Sequence, residues 1–67
     1  MDNVIYLERA FEIHTWLLDC LQASLECAVA QGLMRPSKCR ELKEAAQRAG
    51  ISQLRCMVEA AEHLLAA

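Results

Sequence analysis

Between Val4 and Val29 the polar residues fall on one narrow line, with Glu8, Glu12, Thr15, Asp19, Gln22 and Glu26 recurring at intervals of four, three, four, three and four. At about 100° per residue these side chains cover roughly 80° of a helix surface. Most of the remaining circumference is apolar, with Arg9, His14 and Ser24 as the exceptions between Leu7 and Ala28. One heptad-like row holds Leu7, Phe11, His14, Leu18, Leu21, Leu25 and Ala28, and a second row on the far side holds Ile13, Trp16, Cys20, Ala23 and Cys27. Packing against a single neighbour needs an apolar stripe of about 100–140°, whereas this one spans roughly 240°. The pattern predicts a long helix made to touch more than one neighbour.

That helix is expected to start near Val4, capped by Asp2 or Asn3, and to run to about Gln31, where Gly32 supplies a stop. Leu33-Met34-Arg35 forms a short turn, Pro36 blocks upstream continuation, and Ser37 is the expected N-cap of a second helix. Leu42, Ala45, Ala46 and Ala49 lie on one side of that second helix, small residues suited to close approach. A turn near residue 34 pairs positions whose numbers sum to about 68 in an antiparallel hairpin. This register sets Leu42 against Leu25 and Cys27, Leu54 against His14, and Val58, Ala61 and Leu65 over Ala10, Leu7 and Val4. Gly50-Ile51-Ser52 interrupts the apolar phase, so either the second helix bends at Gly50 or two shorter helices meet there with Ser52 as a cap. A continuous or mildly bent helix is the favoured form. The expected fold is all-α, a helical hairpin over residues 1–67 as one domain, with a core of Leu7, Phe11, Leu18, Leu21, Leu25, Leu42, Ala46, Leu54, Val58, Ala61 and Leu65.

Composition sharpens this picture. A chain of 67 residues has difficulty burying enough apolar surface alone, yet 55 % of its residues are hydrophobic. That combination points to a helical protein with partners. Net charge is −2, too small to argue for a nucleic-acid or membrane surface. Its distribution is uneven: Asp2, Glu8, Glu12, Asp19 and Glu26 oppose Arg9 alone in the first part, while Arg35, Lys38, Arg40, Lys43, Arg48 and Arg55 outnumber Glu41, Glu44, Glu59 and Glu62 in the second. Such a split favours side-by-side pairing of the two parts, although each exposed pair contributes only about 0.2–1 kcal/mol.

The start of the chain lacks the basic region of a signal peptide, so the four cysteines are expected to be reduced and cytoplasmic, serving as small buried hydrophobes. No C-x-x-C or zinc-finger spacing is present, and no metal or cofactor is expected. The acid stripe interrupts every turn of the long helix and leaves no apolar run long enough for a membrane span.

Three functional classes follow. Catalysis is disfavoured, because two helices do not enclose a pocket. His14 falls in the apolar seam, where a hydrogen-bonded or half-exposed histidine is expected, and His63 reads as a helix-end cation partner or plain surface. A helix-turn-helix DNA reader finds some support in L-K-E-A-A-Q-R-A-G-I-S-Q-L-R-C-M-V over Leu42 to Val58. Its reading helix would offer phosphates Arg55 but also Glu59 and Glu62, and Glu59 stands where the motif prefers an apolar residue. The third class, protein binding through Ile13, Trp16, Cys20, Ala23 and Cys27, uses the surface that one partner helix leaves uncovered. Self-association into a four-helix dimer covers the same surface.

L-Q-A-S-L-E-C at Leu21 to Cys27, R-P-S-K-C-R-E-L at Arg35 to Leu42 and the alanine-rich residues that follow resemble the YscE-type co-chaperones of type III secretion needle subunits, over about residues 18–60. Gly50 inside the second helix, and Cys39 where a larger side chain is expected, depart from that family's pattern. The resemblance implies a cytoplasmic protein without enzymatic activity. It also implies binding to a tetratricopeptide-like chaperone, the two together keeping a needle subunit monomeric before export.

Overall fold

The computed structural model describes the backbone of residues 2–66 and the side chains of residues 9–66. Three α-helices account for nearly all of it: α1 over Asp2–Ala30, α2 over Pro36–Arg48 and α3 over Ile51–Ala66. At 1.5 Å per residue α1 is about 43 Å long, roughly twice the length of α2 or α3, and it sets the long axis of a body measuring 47 × 21 × 15 Å.

The end of α1 follows from Gly32. Its φ of +76° lies in the left-handed region that side chains disfavour. There the Gly32 N–H donates to the Val29 carbonyl at 3.0 Å and the Leu33 N–H to the Ala28 carbonyl at 2.9 Å, the paired bonds of a Schellman stop. The start of α2 differs from the sequence expectation. Arg35, extended at φ −77° and ψ 145°, is the capping position, and Pro36 opens the helix without a side-chain cap. Ser37 therefore lies inside α2, because proline's fixed φ and missing donor suit the first helical position.

The larger correction is at residues 49–50, where a continuous or mildly bent second helix is replaced by a break. Ala49 is extended, at φ −80° and ψ 146°, and its N–H closes α2 on the Ala46 carbonyl at 3.2 Å. In an unbroken helix the Ala49 carbonyl would accept from the amide four residues on. Here it accepts from His14 Nε2 of α1 at 2.9 Å, which places the ring proton on Nε2. The first α3 bond runs from the Leu54 N–H to the Gly50 carbonyl at 2.9 Å, so Ser52 sits within α3 and does not cap it. Gly50 is outside the left-handed region, and a β-carbon there would meet nothing within 4 Å. Glycine permits this break, whereas the His14 bond and the burial of the flanking residues hold it.

Two contacts fix the course of α2. Lys43 Nζ reaches Glu26 Oε1 at 2.9 Å, and Ala49, just past the end of α2, reaches His14. The chain thus runs back along α1 only as far as His14. Beyond the break α3 does not continue toward residues 4–10. Met57, Ala60 and Ala61 instead share a cleft with Leu21, Leu25, Met34 and Leu42. Ala61, expected over Leu7, instead meets Leu21 and Leu25, while the side chains of Leu7 and Val4 lie outside the described residues.

The core consists of Leu17, Leu21, Leu25 and Ala28 from α1, Cys39, Ala46 and Ala49 around α2, and Leu54, Val58 and Ala61 from α3. Leu18, Leu42, Ile51 and Met57 pack on it partly buried, and Leu65 is half-buried. Leu21, Leu25 and Leu54 are the large side chains withdrawn completely from water. Each such burial contributes about 1.5–3 kcal/mol. Small Ala46 and Cys39 let α2 approach closely, whereas Ala45 faces solvent. Phe11 is a clear correction: expected in the core, it is 73 % exposed because α2 turns away at His14 and nothing extends far enough to cover it. The side chain of Leu7, also expected in the core, lies outside the described residues.

Leu54 and Phe11 therefore separate the two arrangements. Leu54→Ala is expected to lower stability by about 2–5 kcal/mol. Phe11→Ala should change it by no more than about 0.5 kcal/mol, both read from urea denaturation midpoints.

Candidate protein-docking face

The surface of α1 turned away from α2 and α3 is built from one helical row. Ile13, Trp16, Ala23 and Cys27 are exposed on it and Cys20 is half-buried. Trp16 is 64 % exposed and Ile13 42 %. The core row, centred on Leu17, Leu21 and Ala28, lies roughly 100° around the helix from this one, so the same helix supports both without sharing a residue. Leu17 belonged to neither row expected from the sequence, yet it is only 4 % exposed. Its i+4 and i+8 spacings to Leu21 and Leu25 are the signal that could have placed it.

The acid stripe forms one edge of the face. Glu12, Thr15 and Asp19 line the shallow surface between Phe11 and Trp16. The Thr15 hydroxyl donates to the Phe11 carbonyl at 3.0 Å, turning its polar atom back onto the helix. Farther along, Glu26 is engaged by Lys43, whose stem is partly covered while Glu26 is open to solvent. The hydrogen bond to Glu26 raises the Lys43 pKa above its ordinary value, opposed by burial and helped by the charge of Glu26.

The remaining chemistry is sparse. All four cysteines are free thiols, and only Cys39 is buried; Cys27 and Cys56 are exposed, against the expectation of buried small hydrophobes. Gln31 donates from Nε2 to Cys27 Sγ at 3.1 Å. Among the described residues no three of His, Cys, Asp and Glu converge as a metal site, and no helix is long and apolar enough to cross a membrane. His14, the expected seam histidine, is half-buried and occupied by its bond to Ala49. His63 is exposed in the last turn of α3. Between α2 and α3, where the helix-turn-helix pattern was read, only Ala49 and Gly50 lie outside the helices, and the exposed charges of α3 are Arg55, Glu59 and Glu62.

No protein-family model, curated protein or solved structure matches this chain.

Two measurements check the geometry of α1 and its neighbours. Trp16 is the sole tryptophan, so the isolated chain should emit at the long wavelength of a solvated indole and be readily quenched by acrylamide. Glu26→Gln should return the Lys43 titration, followed by NMR, toward its ordinary value. Because the folded-state pKa of Lys43 is raised, its contribution to stability is complete below the unfolded value of about 10.4 and is lost as pH rises through the folded one, so the variant should match the parent at neutral pH except for a small loss of that contribution.

Proposed function

We propose that this protein is a small non-enzymatic adaptor of the co-chaperone kind, which binds a partner protein through the outward face of α1. The observation that carries the reading is the exposure of Trp16 beside Ile13, on a helix whose other side is already filled by Leu17, Leu21 and Leu25. An indole left in water on a rigid helix is an anchor of the type that dominates protein interfaces. Burying it with its neighbours contributes several kcal/mol at about 25 cal/mol per Å².

The resemblance of Leu21 to Cys27 and Arg35 to Leu42 to YscE-type co-chaperones supports a more specific form of the reading. In that form α1 and α2 make the antiparallel hairpin, and the protein acts in the cytoplasm. Its partner is a tetratricopeptide-like chaperone, and the cargo of the pair is a secretion needle subunit held soluble before export. This role asks the chain for shape and apolar surface and for no chemistry. α3 then supports α1 on its core side, where Leu17, Leu21 and Leu25 are buried.

The test is capture of the natural partner from co-expression with neighbouring genes. Trp16→Ala and Ile13→Asp should each reduce recovery by about tenfold or more while leaving far-ultraviolet dichroism close to that of the parent. Undiminished capture by both variants would falsify the assignment of this face.

A further inference from the structure

We infer that the occupant of this face is a helix of a second protein, with lysine or arginine along one flank and side chains that grow larger toward the end lying over Ala23. The inference rests on the docking reading above and specifies the partner's chemistry. The face is one side of an α-helix whose backbone groups are already bonded internally, so it has no edge to which an extended peptide could add by main-chain bonds. A helix can instead set its side-chain ridges into this surface. From Ile13 to Cys27 the row extends about 21 Å, which a partner helix of four turns would match.

The row tapers. Ile13 and Trp16 stand out at one end, while Cys20, Ala23 and Cys27 leave a low surface at the other. A complementary helix is therefore small opposite Trp16 and bulky opposite Ala23.

Charge decides which helix. Glu12 and Asp19 run along the edge beside Trp16, both exposed and neither in an ion pair among the described residues, whereas Glu26 already has Lys43. Like charges along that edge repel and opposite ones attract. Arg9 is the one base of α1 and stands a turn before Ile13. A second copy of this chain fits less well. Pairing two such faces head to tail brings the same edges together, Glu12 and Asp19 against their counterparts. The bases of a second copy, such as Lys38, Arg40 and Arg48, are exposed on α2 among Glu41, Glu44 and Gln47, so acids stand beside them.

The test uses the intact chain and two synthetic helical peptides of about 21 residues, three heptads each. They share a Leu/Ala anchor strip with the taper described and differ only in carrying Lys or Glu along one flank. Binding is followed by Trp16 emission, and association state by sedimentation equilibrium. The Lys peptide is expected to shift the emission to the blue and to bind about tenfold or more tightly than the Glu peptide, an advantage that shrinks toward none in about 1 M salt. The double variant Glu12→Lys, Asp19→Lys, checked for unchanged helicity, should reverse the preference. Equal binding of the two peptides, preference for the Glu peptide, no binding by either at about 1 mM, or a dimer of the chain alone with its indole already shielded would each overturn the inference. If the charge preference fails while Trp16→Ala still abolishes capture of the natural partner, the docking face stands and only its basic occupant falls.

Discussion

The complete burial of Leu21, Leu25 and Leu54 requires residues 51–66 to lie beside the middle of α1, and most of the architecture follows from that requirement. An unbroken second helix could not bring Leu54 to that position, since it would carry residue 54 onward past His14. The break at Ala49 and Gly50 resolves the conflict, and it costs little because both backbone groups of buried Ala49 and the Gly50 carbonyl are bonded. Ala49 donates to Ala46 and accepts from His14, and the Gly50 carbonyl begins the α3 ladder. A buried carbonyl left without a donor there would cost about 1–3 kcal/mol. His14 thus serves the fold as a specific donor, and its place in an otherwise apolar row has a physical reason.

Turning α3 back has a consequence at the other end of α1. With two short helices packed against its C-terminal two-thirds, the long helix outruns its neighbours, and Phe11 stays in water although it shares a heptad-like row with Leu18 and Leu25. Position on a helix face determines which way a side chain points. Whether it is buried depends on how far the neighbouring helix extends. The same reasoning explains Trp16: two neighbours occupy adjacent sides of α1, and among the described residues nothing covers the third.

The sequence carried the length of α1, the stop at Gly32 and the expectation of more than one neighbour, because helical periodicity and a glycine terminus are local properties. It also placed Ile13, Trp16, Ala23 and Cys27 on the row that the fold leaves open. What it left undecided was the choice at Gly50, since a lone glycine in an alanine-rich helix permits a bend as readily as a break. The outcome depends on a long-range bond from His14 and on where Leu54 finds complete burial, neither of which is written in residues 49–52. The register error over Val58, Ala61 and Leu65 followed from that one choice, as did the misplacement of Phe11. Leu17 was lost differently: grouping α1 into two rows left it between them, although it belongs to the buried side of α1. The difference between Glu26, engaged by Lys43, and the exposed Glu12 and Asp19 is a tertiary property that the order of residues does not carry.

A domain of this size has little stability to spare, and that bears on how it can bind. If the docking face were part of the core, each change that tuned a partner would also threaten the fold. Here the two are separated around one helix, with Leu17, Leu21 and Leu25 on one side and Trp16 with its neighbours on another. The face is also held on a rigid element, so association requires no ordering of a loop and little loss of backbone entropy. Association should in turn stabilise the chain, because a partner that binds the folded form and not the unfolded one adds its binding free energy to a small total. On the proposed reading, a small three-helix unit with one side of α1 uncovered would gain stability from whatever molecule it bound.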